Sequence, residues 1–422
     1  MFTPDQFLAS TLRTHVRGES VARIISSAFQ SIHAGNAVKR FLLANDLPPA
    51  KRTFAFGLGK AACAMTSALA DSTRLTDSLI ITKHASPVDL EPVTVIEGNH
   101  PVPGESSLAA GRAALKFVSR LGPDDLLVCL ISGGGSALMT APIIPLSEMQ
   151  ALTSALLAGG ARIDEINTMR RNLDSLKGGG LAQAANGAKI ISLILSDVVG
   201  DSIEAIASGP TAPDPTTIQD AIRVSQKFRS GLPFRETLKP GDPLFRNIQN
   251  RVIASNAIAL NAAKKQAEAE GFPTEIIYSG LQGEAREAGK NLAENLREAN
   301  EKYPRPFCLL AGGEMTVTVK GGGKGGRNQE LVLGAVDHLR GMEDVLLISI
   351  ATDGEDGPTD AAGAVASGET AQRAESLGMQ AADYLSRNDA YSYFDALGDL
   401  IRPGPSGTNV NDLMFIFAFQ VT

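Results

Sequence analysis

The stretch Thr53–Ala70, TFAFGLGKAACAMTSALA, decides the fold. Aromatic and β-branched residues lead it, Gly57 and Gly59 interrupt it, and an Ala-rich run follows with Lys60 at its start. In that order the residues predict a strand, a glycine turn and a helix. The unit repeats downstream in SLIITKHA from Ser78, in VTVIEG from Val93 ahead of SSLAAGRAALKFVSRL, in DLLVCLISGGGSALM from Asp125 and in AKIISLILSD from Ala188. Such alternation predicts a parallel sheet with helices on both faces. Upstream, the apolar spacing from Phe7 to Asn45 predicts two or three short helices.

Between Gly231 and Pro243 the chain concentrates proline, glycine and charge and loses periodicity, which places a domain boundary there. Strand and helix alternation restarts at RVIASN (251–256) and runs to the apolar NDLMFIFAF near the C-terminus. The expected architecture is therefore α/β, with two α/β/α domains. Residues 1–240 form a Rossmann-like N-terminal domain on a mostly parallel sheet, and residues 241–422 form a smaller C-terminal α/β domain.

The chain's 422 residues exceed what one core usually organises, in keeping with two domains. Its formal charge of −7 gives no basic stripe for a phosphate backbone and argues against nucleic acid as partner. The longest apolar runs are strand-length, so no membrane span is expected. Cys63, Cys129 and Cys308 are too scattered for a disulfide framework, which points to core positions and a reducing, cytoplasmic compartment. The five histidines lack metal-ligand spacing, so no zinc site is expected.

The glycines gather directly after strands, where open parallel sheets bind ligands on backbone N–H groups and helix N-termini. GLGKAA supplies Gly57, Gly59 and Lys60; ISGGGSA supplies Ser132, Gly133, Gly134, Gly135 and Ser136; GGGKGGRNQE supplies Lys324, Arg327 and Asn328, with Glu314 just upstream. GLGKAA also satisfies a loose dinucleotide fingerprint. The next strand, however, ends in Lys83 and His84 where the ribose needs an acid, and Asp77 lies at its beginning. A lysine at a glycine turn suits a phosphate better. GGGSA lacks the second flanking glycine of a serine nucleophile elbow, and GGGKGGRNQE is not a Walker A loop. Cations at a helix start oppose its dipole, so Lys324 and Arg327 point to an anionic ligand, with a solvated basic loop as the other reading. Arg171, Asn172 and Lys177, ahead of the Gly178–Gly180 break, complete the candidate binding set.

Carboxylates follow two strands: Asp197 and Asp201 in LSDVVGD, and Asp353, Glu355, Asp356 and Asp360 in TDGEDGPTD. Such groups suit Mg²⁺ held jointly with nucleotide phosphates, although Asp-Gly pairs also form turns. Asp197 is expected to be functional, with Asp353 and Asp356 as the metal candidates. His100, in GNHPVP, is read first as a structural residue, with a substrate role as the other reading.

Taken together and in order, GLGKAA, GNHPVP, ISGGGSAL, INTMRRNLDSLKGGGLA, SDVVGD, ASGPT, GGE, GGRNQE, TDGEDGPTDAAGA and PSGTNVND closely resemble the class II glycerate 2-kinases, whose C-terminal part carries a MOFRL region, here about 305–418. The resemblance implies transfer of the ATP γ-phosphoryl group to the 2-hydroxyl of D-glycerate with Mg²⁺. It matches the family's active-site lysine and arginine to Lys60 and Arg327. It also leads to the expectation of an active site in the cleft between the domains, with Asp197 as a candidate proton acceptor and Arg171 and Ser136 as candidates for the substrate carboxylate. Hydroxypyruvate reduction with NAD(P)H and passive binding of a phosphorylated metabolite are the alternatives. Monomer and homodimer are both left open.

Overall fold

Six strands, β1 (Arg52–Leu58), β2 (Asp77–Thr82), β3 (Val93–Glu97), β4 (Asp125–Ile131), β5 (Lys189–Leu195) and β6 (Ile248–Ala254), form the first sheet of the computed structural model, in the order β3-β2-β1-β4-β5-β6. The structure describes residues 2–227 and 231–420. The pairings from β3 through β5 are parallel, as the alternation predicts. The chain builds from β1 outward to β3, then returns to lay β4 on the other edge of β1. The strand order thus reverses between β1 and β4, and such a switch point leaves a crevice beyond the strand ends.

All seven residues of β4 are buried, because helices cover both faces. On one face Phe54, Phe56, Leu127 and Cys129 pack with Ala110, Ala114 and Phe117 of helix Glu105–Val118. On the other, Ile80 packs with Ala62 and Cys63 of helix Ala62–Ala70. A Cβ at Gly57 would sit 2.9 Å from Thr66 Oγ1 and 3.2 Å from Ala62 Cβ, so this glycine lets the helix lie close to its own strand.

The chain divides into two units, Ala34–Ile253 and Met1–His33 with Ala254–Thr422. This differs from the expected boundary at 240. The strand expected to open the second domain is β6, which instead joins the edge of the first sheet with a half-exposed, alternating pattern. The N-terminal helices are also shared out. Helix Ala34–Ala44 packs on Ala62–Ala70, whereas helix Gly18–Ile32 packs on Asn256–Ala269. The reason is a broad apolar face: Val21, Ile24, Ile25, Ala28, Phe29 and Ile32 are all buried. Arg23 fixes this placement with two hydrogen bonds to Glu270, of 2.7 and 2.9 Å. Thr11 donates to buried Asp399 from both its N–H and its hydroxyl, each at 2.9 Å.

The second sheet contains β7 (Thr274–Glu284), β8 (Phe307–Thr316), β9 (Val345–Ala351), β10 (Gly363–Ser367), β11 (Leu400–Ile401) and β12 (Asp412–Ala418), ordered β11-β10-β9-β12-β8-β7. It is mixed, with β7 and β8 parallel and the pairings of β12, β10 and β11 antiparallel. The last strand runs back through the middle of the sheet, which gives it its mixed direction. Every residue of β12 is buried, in keeping with the apolar run that follows its first residue, Asp412. Because β8 and β9 both oppose β12, they share a direction, and their C-terminal ends share an edge.

The three cysteines are free and buried. Among the described residues no helix is long and apolar enough to cross a membrane.

Phe29 is 1% exposed, with its ring 4.9 Å from that of Phe7. Phe29→Ala is expected to lose about 3–5 kcal/mol of stability. Hydrogen exchange should find the lost protection in helix Asn256–Ala269, with the β4 amides unchanged. Loss in β4 instead would contradict the unit division.

Candidate active site

The loops after β1 and β4 are tied together by their backbones. Lys60 N–H donates to the Gly133 carbonyl at 3.0 Å, Ser132 N–H to Leu58 at 2.8 Å, and Gly59 N–H to Ile81 at 3.0 Å. Gly59 has φ +117°, and a Cβ there would overlap the Ser132 carbonyl. Ser132, 1% exposed, accepts the Ala61 N–H on Oγ at 3.0 Å; it secures the turn rather than facing a ligand. Lys60 is exposed on the same loop. Gly134, at φ +85°, leaves room for the side chains that flank it: a Cβ would lie 3.4 Å from His100 Cδ2 and 3.5 Å from Lys60 Cγ. Asp197, partly exposed after β5, sets its carboxylate against Gly133, where a Cβ would overlap it. Lys60, His100, Gly133, Gly134 and Asp197 thus gather at the C-terminal edge of this sheet.

Other expected binding residues face inward. Arg171 pairs with Asp214, Nε to Oδ1 2.8 Å, with side chains 4% and 0% exposed. It is a structural ion pair, not a free clamp for a substrate carboxylate. Asn172 is fully buried and donates to the Thr168 carbonyl at 3.0 Å. Lys177 Nζ donates to the carbonyls of Met139 at 2.8 Å and Gly135 at 3.4 Å, closing the short helix Gly135–Leu138 from below. Burial pulls the Lys177 amine down to about 8, with Asp174 opposing and Arg170 adding to the fall. Ser136, partly exposed, lies 2.8 Å from Ser208, which donates to Asn167.

In the second unit, the helix Arg327–Leu339 begins at the shared edge of β8 and β9. Asp356 caps it: Oδ2 accepts from Gln329 N–H at 2.9 Å, and Oδ1 from Asn328 N–H at 3.1 Å and Asn328 Nδ2 at 3.2 Å. A carboxylate suits that terminus. A Cβ at Gly326 would overlap Asp356, so the glycine is what admits the cap. Burial pushes the Asp356 carboxyl up to about 7 against the pull of those amides, and neighbouring Asp412 adds to the rise. Both oxygens are committed and the residue is 1% exposed, so Asp356 does not fit the metal role expected for it.

Arg327 is held as a two-pronged fork on Asp412, at 2.7 and 3.1 Å, and reaches Glu314 with Nη1 at 3.0 Å. Burial works against its charge, but Asp412 and Glu314 hold the guanidinium above its ordinary range. Asp412 itself is pushed up to about 6 by burial, with Arg327 opposing. Asn328 bridges Asp412 and Asp356 and accepts from Ser349 at 2.6 Å. Glu330 joins Arg286 and Asn388. Within GGRNQE, then, only Arg327 keeps substantial exposure, at 29% of its side chain. Lys324 lies over the Tyr391 ring, 3.7 Å from its centroid.

A cavity of about 700 Å³ opens here, lined by Gly325, Gly326, Arg327, Asp353 and Glu355 among others. Sequence reasoning missed Asp412 and Asp214, the partners that position the two arginines. The PSGTNVND motif contained Asp412, but only the antiparallel return of β12 brings it beneath Arg327. Among the described residues no three His, Cys, Asp or Glu side chains converge as a metal site.

Two expectations follow. Asp412→Asn keeps the shape but removes the charge that orients Arg327, and steady-state kinetics should show a fall in turnover of about 10²-fold. For Lys177 the folded value of about 8 lies below the ordinary 10.5. Its contribution is therefore lost as pH falls through about 8, and the protein gains stability between pH 8 and 10.5. Denaturant titrations of Lys177→Met should lack that gain.

Family models match twice, a domain of unknown function, DUF4147, over residues 20–237 and the MOFRL family over 307–412. A D-glycerate 2-kinase of Thermotoga maritima is 39% identical across 93% of this chain and 96% of its own length. An Agrobacterium vitis protein provisionally named a hydroxypyruvate reductase is 38% identical across 94% of each. The crystal structure of glycerate kinase from Thermotoga maritima superposes with a TM-score of 0.88 at 37% identity, covering 95% of this chain and 99% of that one. With near-complete coverage in sequence and in structure, and with both family domains in place, the chain belongs to the glycerate 2-kinase family.

Proposed function

We propose that the protein transfers the γ-phosphoryl group of ATP to the 2-hydroxyl of D-glycerate, giving 2-phosphoglycerate and ADP. The observation that carries this reading is the exposed Lys60 at the β1/β4 switch point in a chain 39% identical to a D-glycerate 2-kinase. Phosphoryl transfer asks a protein mainly for positioning and for positive charge around dispersed oxygen charge. Lys60 and Arg327 are assigned that charge. Arg327 is presented by Asp412 and Glu314 much as a clamp is held by its mount.

Asp197, against Gly133, is assigned as acceptor of the hydroxyl proton. Mg²⁺ brought in on nucleotide phosphates needs only one or two protein carboxylates. Asp353, lining the cavity beside Arg327, fits that requirement, and the ion bound there would neutralise phosphate charge. A reducing intracellular compartment is part of this reading.

The relative named a reductase motivates a second reading. The end of β2 opposes it: the acid Asp77 is that strand's first residue, and Thr82 is its last, followed by Lys83 and His84.

Lys60→Ala and Arg327→Ala should each lower kcat/KM in an ADP-release assay by about 10²- to 10³-fold, with circular dichroism unchanged. Parental activity in either variant would remove that residue from the reaction. Oxidation of NADH or NADPH on adding hydroxypyruvate would favour the second reading.

A further inference from the structure

The helix Ile163–Leu173 ends with two adjacent arginines whose fates differ. Arg171 is consumed by Asp214. Arg170 is only partly exposed, yet among the described residues its guanidinium makes no hydrogen bond or ion pair. The opposing charge that acts on it is Asp174. That carboxylate is already committed, accepting from Thr140 Oγ1 at 2.6 Å, Ala141 N–H at 3.0 Å and Leu176 N–H at 2.9 Å. Arg170 stands in the last helical turn, where a cation complements the dipole. That interaction leaves the N–H donors of the guanidinium with no protein acceptor among the described residues, open to solvent and to a ligand.

Arg170 is not isolated from the site. Burial, and then the cations Lys60, Lys83 and Arg170 within electrostatic reach, hold the His100 imidazole below its ordinary range. His100 and Lys60 flank the same glycine: a Cβ on Gly134 would stand 3.6 Å from His100 Nε2 and 3.5 Å from Lys60 Cγ. Lys60 and Arg170 bring positive charge to a turn that also carries the Asp197 carboxylate against its first glycine, an arrangement suited to seating an oxyanion beside a base.

We infer that Arg170, together with His100, seats the carboxylate of the acceptor. The inference rests on the proposed kinase reading and deepens it. In a 2-hydroxy acid the reacting hydroxyl is on the carbon that bears the carboxylate. The carboxylate seat must therefore adjoin the cation serving the transferred group and the base serving the hydroxyl. His100 adjoins Lys60 across Gly134, and Asp197 lies against the preceding glycine. A guanidinium fork matches carboxylate geometry in a way that an ammonium does not. Arg170 is thus a specificity-determining residue, selecting acids over neutral polyols.

The test uses the full-length protein with ADP and Mg²⁺ present. Calorimetry should detect D-glycerate binding to the parent and a loss of roughly 10- to 100-fold in affinity for Arg170→Met. KM for glycerate should rise by the same factor and KM for ATP by less than about twofold, with Arg170→Lys recovering part of the loss. Glyceramide, the neutral analogue, should be a poor acceptor for the parent, and Arg170→Met should lose that discrimination, which a purely structural arginine would not affect.

A rise in KM for ATP alone would assign the seat to a nucleotide phosphate and overturn the inference. Unchanged constants for both substrates would overturn it as well. A parent that binds no glycerate would fail the kinase reading itself, a result distinct from a parent that binds glycerate and an Arg170 variant that binds it equally. Should Arg170→Met not fold, His100→Gln carries the same measurements with the same contrary outcomes.

Discussion

At Gly59 and Gly326 the chain comes closer to a neighbour than any side chain would allow, and the placement of both proposed catalytic cations depends on it. Gly59 lets the β1 loop lie on the Ser132 carbonyl, which leaves Lys60 N–H bonded to Gly133 and the lysine side chain turned outward. Gly326 lets the Asp356 carboxylate reach the start of the helix that carries Arg327. A Cβ at either position would separate the loops by more than a hydrogen bond can span. Glycine is present for approach as much as for turning.

Around these contacts the motifs divide into scaffold and chemistry. Most polar residues of GGRNQE hold the loop to Asp356, Asp412, Ser349 and Asn388. Buried polar networks of this kind rigidify the loop through the pairs they make, so their residues are as constrained as any ligand contact. The same holds for Arg171 with Asp214 and Lys177 with two carbonyls. In each case a charged or amide side chain in a motif, the usual sign of a binding residue, is used to position its neighbour.

This explains what could be read from the chain and what could not. Strand-end placement of GLGK, GGG and Asp197 follows from periodicity, and all three stand just beyond strand ends in the structure, whereas Arg327 opens a helix after a loop that follows β8. The boundary at 240 did not, because β6 resembles an opening strand but completes an edge, and because helix Gly18–Ile32 finds its apolar partner in Asn256–Ala269 far along the chain. The second sheet's mixed direction depends on where β12 inserts, a long-range pairing that no local pattern encodes. Adjacent arginines point about 100° apart on a helix, so which one meets a ligand depends on whether Asp214 waits on that side. Its loop lies far along the sequence, and the motif alone does not distinguish Arg170 from Arg171.

In the proposed reaction these loops bring phosphate onto the hydroxyl next to a carboxylate. Phosphorus NMR of the protein with Mg²⁺, ATP and D-glycerate tests that most directly. Growth of a 2-phosphoglycerate resonance in step with ADP is the predicted result. A 3-phosphoglycerate resonance would contradict the placement of the acceptor, and intact ATP with no phosphoester would contradict the reaction.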